Sequence, residues 1–352
     1  MPLPSIRYLF LLGLLFVVGT ARAQDGVRYA AALTVTFGGV DVRLANTERW
    51  IALPVGAVTP LGAGDSVRTD QTGRAWLTFE TDTDTAARAL ILPATIYRIE
   101  SYDADAIHAR IAGRSIAHVP AGSPSYTVLA DTAEAERSAI RADGATDALF
   151  AVSARPAAPI PFLTTLNARP PILYAIAASD GTAIVTEDGD IPLPNGYGAA
   201  LDGESAALPI SLSAPYRFSD LEVAVTPLVC DATAIPTTAP RLLARIGAND
   251  GFRSLGAFDF GVPLQIVGRS ENGRRYRIAY FSAFAWVVAD GVSFTGGCDV
   301  DALPVYPSET AEQPLGAIAV TDAELALLQP FYGTPADDPW FYRAVSDLVP
   351  AG

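Results

Sequence analysis

Lysine is absent from all 352 residues, so each of the 24 basic side chains is an arginine. That excludes chemistry built on a lysine amine, whether a P-loop phosphate grip, a Schiff base or lysine-assisted acyl transfer. Histidine occurs only as His108 and His118, both in strand-like sequence, and no Gly-x-Ser-x-Gly elbow is present. A histidine-activated nucleophile therefore has little to be built from. Cysteine occurs only as Cys230 and Cys298, and neither has a second Cys or a His at zinc-ligand spacing. Beyond the N-terminal segment no apolar run is long enough to span a bilayer. The formal net charge of -14 repels phosphate backbones, which argues against a nucleic-acid partner.

What is present begins with an export signature. Arg7 precedes the apolar run 8–18, and Ala21-Arg22-Ala23 places small residues where a signal peptidase reads them. Residues 1–23 thus read as a signal peptide, with the mature chain starting at Gln24. The run falls short of the roughly twenty residues a spanning helix needs, an uncleaved anchor being the alternative. No cysteine stands at the cleavage site to carry a lipid. Cleavage removes Arg7 and Arg22 and makes the chain two charges more negative. In an exported chain an even cysteine count favours a Cys230–Cys298 disulfide, the alternative being two buried thiols. Closing a loop of that size stabilises by about 4 kcal/mol in the chain-entropy treatment.

The sequence between residues 29 and 129 predicts strand after strand. Leu33-Thr34-Val35-Thr36-Phe37 and Val40-Asp41-Val42-Arg43 flank Gly38-Gly39. Asp65 closes a glycine-punctuated turn, where its carboxylate can accept backbone N–H bonds. Ala75, Leu77 and Phe79 then alternate with Arg74, Trp76, Thr78 and Glu80, the period-two pattern of a sheet with one buried face. Leu90-Ile91-Leu92, Thr95-Ile96-Tyr97-Arg98-Ile99, the run 109–119 with a bend at Gly113, and 125–129 follow. Residues 131–148 are divided between helical propensity and short strands. Phe150-Ala151-Val152 resumes strand character before a proline-rich linker over 155–171. Strands return at 172–177 and 182–186, with a hairpin turn at Glu187-Asp188-Gly189-Asp190.

The order Trp50, Leu53-Pro54-Val55-Gly56, Gly64-Asp65-Ser66-Val67-Arg68-Thr69, Arg74-Ala75-Trp76-Leu77-Thr78-Phe79, Leu92-Pro93-Ala94-Thr95 resembles a FecR-like domain. With gaps the resemblance runs from about residue 37 to 223, and it implies a β-sandwich or roll over 24–225. After Thr237-Thr238-Ala239-Pro240, five β runs lie at 243–247, 252–258, 261–269, 273–278 and 285–287. They are similar to a bacterial SH3-like domain, with Trp286 at the place of that family's closing-strand tryptophan. The resemblance implies a small barrel within 226–308 and a binding surface around Trp286, Tyr276 and Phe252. The family's Ser-Gly-Pro turn is missing between residues 244 and 249.

The remaining 309–352 change character. Thr321-Asp322-Ala323-Glu324 is a capping box ahead of Leu325, Leu327 and Leu328, and Asp338-Pro339 opens a second short helix. Acidic clusters at Glu80-Asp82-Asp84, Asp103-Asp105, Glu187-Asp188-Asp190 and Asp299-Asp301 lack EF-hand spacing and sit where turns favour Asp, so no metal or cofactor is assigned.

The fold class is therefore mainly β with a short helical tail. The function read from sequence is an exported, non-catalytic scaffold or binding protein, secreted or held in the periplasm or cell envelope. Its SH3-like module would contact cell-wall peptide, glycan or an envelope protein. The alternatives are an envelope regulator of FecR type and a carboxylate-dependent glycosidase, whose paired acids converge in space and not along the chain.

Overall fold

The computed structural model describes residues 31–70, 72–80, 86–131, 139–154, 173–201, 208–226, 228–281, 283–310, 312 and 321–334. The predicted signal peptide, the proline-rich linker and the helix predicted at Asp338 lie outside these residues. Up to residue 211 the chain forms β1 (Ala31–Phe37), β2 (Val40–Arg43), β3 (Ile51–Leu53), β4 (Val58–Leu61), β5 (Ser66–Thr69), β6 (Arg74–Phe79), β7 (Ala87–Ile91) and β8 (Ile96–Tyr102). It continues with β9 (Ala106–Val119), β10 (Ser125–Ala130), β11 (Ala139–Ala142), β12 (Ala148–Ala154), β13 (Leu173–Ala177), β14 (Thr182–Thr186), β15 (Gly189–Leu193), β16 (Tyr197–Leu201) and β17 (Ile210–Ser211). In the divided region 131–148 the described residues are strand and turn.

These strands make two stacked sheets that share β9. The first runs β4-β1-β6-β7-β9-β12-β13-β16-β17, antiparallel throughout. The second runs β3-β2-β5-β8-β9-β10-β11-β14-β15, with β9 and β10 parallel. The half of β9 before residue 113 ladders with β8 and β10, and the half from Gly113 onward ladders with β7 and β12. Gly113 makes the change of sheet possible, at φ +122°. A Cβ there would lie 2.5 Å from Thr95 Oγ1 and 2.6 Å from Thr95 Cα, a space that only glycine fits.

Alternation decides what the sheets bury. Leu33, Ala75, Leu77, Phe79, Tyr97, Ile107, Tyr126 and Phe150 point between the sheets into one core. Inside it the Tyr97 and Tyr126 hydroxyls bond to one another, and burial pushes both phenols above their ordinary pKa. The outer face of the first sheet is covered as well, by α1 (Phe218–Val225) and α2 (Asp322–Tyr332). Leu90, Ile116, Tyr174 and Ile176 meet Phe218, Leu221, Leu328 and Phe331 there. The predicted capping box starts α2, with Thr321 accepting from Glu324 N–H and Glu324 accepting from Thr321 N–H.

This second covered face explains one departure from the sequence pattern. Arg74 stands at a position the alternation sends to solvent, yet it is 2% exposed. Its guanidinium lies 3.7 Å from Glu324 of α2, and Thr36 donates to the same carboxylate at 2.8 Å. The Asp65 turn forms as predicted: its carboxylate accepts from Ala45 N–H at 2.6 Å and from Gly62 N–H at 2.8 Å.

The second body of sheet comprises β18 (Cys230–Ala234), β19 (Leu242–Arg245), β20 (Ser254–Phe258), β21 (Pro263–Ser270), β22 (Arg275–Tyr280), β23 (Ala283–Val288), β24 (Val292–Phe294) and β25 (Val305–Tyr306). Its order is β20-β19-β23-β22-β21-β18-β24, with β25 alongside β21. Among the described residues no ladder joins β20 to β24, so the sheet is open where the sequence predicted a closed barrel. Two of the added strands, β18 and β24, pair with each other beyond β21 and extend the path away from β20. Cys230 and Cys298 are disulfide-bonded, their Cα atoms 5.6 Å apart, against one side of this unit's core.

Candidate functional site

The residues that sequence reasoning grouped into a binding surface lie on opposite faces of the second sheet. On β22, Tyr276 opposes Val287 and turns toward the core, where its ring meets Phe294 edge-on at 5.2 Å. Burial raises its phenol pKa, eased by nearby Arg269. Trp286 opposes Arg277 on the other face and is 0% exposed, so it contributes no surface at all. Phe252 is half-buried against the core at the end of a loop, with Gly247 packed under its ring.

Trp286 belongs instead to a closed polar cluster. Its indole N–H donates to Glu312 at 3.0 Å. Arg277, 4% exposed, grips the same carboxylate with Nε at 2.6 Å and Nη2 at 3.0 Å. The remaining edge donates through Nη1 to Glu222 of α1 at 3.0 Å and to the Tyr306 hydroxyl at 3.3 Å. The rings of Phe284 and Tyr306 face the cation at 3.7 and 4.9 Å. Burial alone would lower the Arg277 pKa. Glu312, through its charge and its hydrogen bond, together with Tyr306 and Tyr174, outweighs it and holds the group above the ordinary arginine value. Such an arrangement ties parts together and offers no donor to a ligand: Glu222 comes from the helix that covers the first sheet, Glu312 from the segment that follows β25. Ser219 of α1 adds a bond to the Phe281 carbonyl at 2.6 Å.

The same face carries a second, less closed arginine group. Arg275 lies two residues before Arg277 and is 5% exposed, while Arg245 enters from β19. Both address Asp250, on the loop between β19 and β20. Arg245 Nη1 also donates to the carbonyls of Phe252 at 2.7 Å and Asp250 at 3.4 Å. Sequence reasoning missed both groups. Alternating arginines at 275 and 277 were the available signal, but their acidic partners lie 25 to 55 residues away.

Elsewhere the polar residues of interest serve turns and edges. Asp103 accepts from the backbone N–H groups of Asp105 and Ala106, bonds that lower its pKa. Asp299 caps Asp301 in the same way. His118 contacts Asp147 at 3.0 Å on the surface. Among the described residues no three or more His, Cys, Asp or Glu side chains converge as metal ligands would.

No protein-family model matches the chain, and no curated protein matches it. Among solved structures, two crystal structures of a protein from Parabacteroides distasonis, provisionally described as an anti-sigma factor, are similar to it at 8% identity and a TM-score of 0.28. The similarity spans 46% of this chain and a little under two thirds, 63% and 64%, of theirs. At that level it carries no argument about fold or role.

Proposed function

We propose that this chain is an exported, non-catalytic scaffold or binding protein of the cell envelope or extracellular space. The observation that carries the reading is the Cys230–Cys298 disulfide, since such bonds persist in oxidising compartments and are rare where thiols are kept reduced. The N-terminal signature and the resemblances to FecR-like and SH3-like modules support it. The absence of lysine and the surface setting of His118 agree with a role in holding rather than transforming a partner. In this reading the first unit is the scaffold, and the second, fastened to it through Arg277, contacts cell-wall peptide, glycan or an envelope protein. Mass spectrometry of material from cell fractions tests export: a mature product starting at Gln24 with an intact disulfide supports it, and a full-length reduced product in the cytosol overturns it. Retention of the purified chain on isolated cell wall at moderate salt tests the partner.

A further inference from the structure

We infer that Arg245 and Arg275 form a binding site for a ligand carboxylate, occupied in the free protein by the chain's own Asp250. Two arginines on one strand differ in how their donors are filled. Arg277 has each edge of its guanidinium filled by Glu312, Glu222 and Tyr306. The Arg275 side chain is just as deep, 6% exposed, but the structure gives it a single partner among the described residues, one Asp250 oxygen at Nη2. Its Nε and Nη1 make no hydrogen bond among the described residues. A buried arginine ordinarily fills its donors. This one keeps donors for something else.

The present counter-ion is built to be displaced. The Asp250 side chain is 89% exposed, and a carboxylate that stays in water gains little from an ion pair. One of its oxygens serves both guanidiniums, Arg245 Nε standing 4.0 Å away. Two cations thus share one exposed anion. Burial and the neighbouring Arg245 both lower the Arg275 pKa, while Asp250 alone opposes them. The loop backbone is held independently of the Asp250 side chain: Asn249 donates to the Ser308 carbonyl at 2.8 Å and accepts from Gly251 N–H, and Arg245 Nη1 holds the carbonyls of Asp250 and Phe252. Asp250 can therefore turn away without unfolding the loop. A planar carboxylate matches the fork of a guanidinium better than a spherical anion does. The site is independent of whether the partner is wall material, because it is read with a small molecule on the purified chain.

The test uses N-acetyl-alanyl-alanine, which ends in a free carboxylate, against its C-terminal amide, by calorimetry and by arginine Nε–H NMR signals on the full chain. The native protein is expected to bind the acid and not the amide. Asp250→Asn removes the internal competitor and should tighten binding by about tenfold, whereas Arg275→Gln should weaken it by at least about tenfold. A plain structural ion pair would make Asp250→Asn less stable without creating any preference for the acid. If Arg275→Gln fails to fold, the more exposed Arg245→Gln decides, and it too must lose the preference. Equal response to acid and amide in both the native chain and Asp250→Asn, or equal competition by inorganic phosphate, overturns the proposal.

Discussion

Arg277 shows what one side chain can decide. A buried ion pair need not stabilise relative to an apolar replacement, but removing one partner leaves a desolvated charge behind. Arg277→Ala should therefore cost about 3–5 kcal/mol in urea denaturation, because Glu312 and Glu222 lose their counter-ion together. Arg277→Lys should recover only part of that, since an ammonium cannot hold Glu312 with two parallel bonds. The tyrosine pair gives a second prediction. Tyr126→Phe leaves the Tyr97 hydroxyl alone in the core and should cost about 1–3 kcal/mol, while the Tyr97→Phe/Tyr126→Phe double variant costs less than the two singles summed. The pair also sets an alkaline limit. Both phenols are held above the unfolded value of 10.0, so their contribution is complete below that pH and is lost as pH rises above it. Phenolate absorbance from this pair should appear only together with loss of β-structure.

At the scale of elements, β9 and α2 carry the expectations. Gly113→Ala must move Thr95 to make room and should cost more than about 2 kcal/mol, read as a lower denaturation midpoint with unchanged slope. Thr321→Ala removes only a cap and should cost about 1 kcal/mol. Glu324→Ala should cost more, because Arg74 loses an ion-pair partner and Thr36 one of its acceptors as well. These elements were legible to different degrees. Strand positions followed from period two, and the turn at Asp65 and the box at Thr321 from local chemistry, because each depends on residues a few places apart. That the helix opened by the Thr321 box packs on a β-unit was legible from its apolar positions, but its place over Arg74 was not, since nothing near Arg74 announces a partner as distant in sequence as Glu324. The same limit hid the true place of Trp286. Its strand was readable, but its burial depends on Glu312 and Tyr306, which come from outside the five expected runs.

For the molecule as a whole, the disulfide and the Arg277 cluster act on different boundaries. The disulfide closes 68 residues of the second unit onto itself and leaves the first untouched. Reduction should therefore lower the stability of the second unit by about 4 kcal/mol, seen by scanning calorimetry as a transition that separates from and precedes that of the first. Chain-level charge was read directly from composition, whereas open against closed sheet was not: closure depends on which edges meet, and β18 and β24 lie outside the pattern that suggested a barrel.

The strand common to both sheets has a practical corollary for anyone who would dissect the protein. Truncation between residues 119 and 125 leaves both halves of β9 with an unpaired edge, and truncation between 130 and 148 leaves one, because its partners β7 and β8 precede it while β10 and β12 follow. The smallest N-terminal fragment with a chance of standing alone must reach β16, and even that piece would expose to water the apolar wall on which α1 and α2 rest.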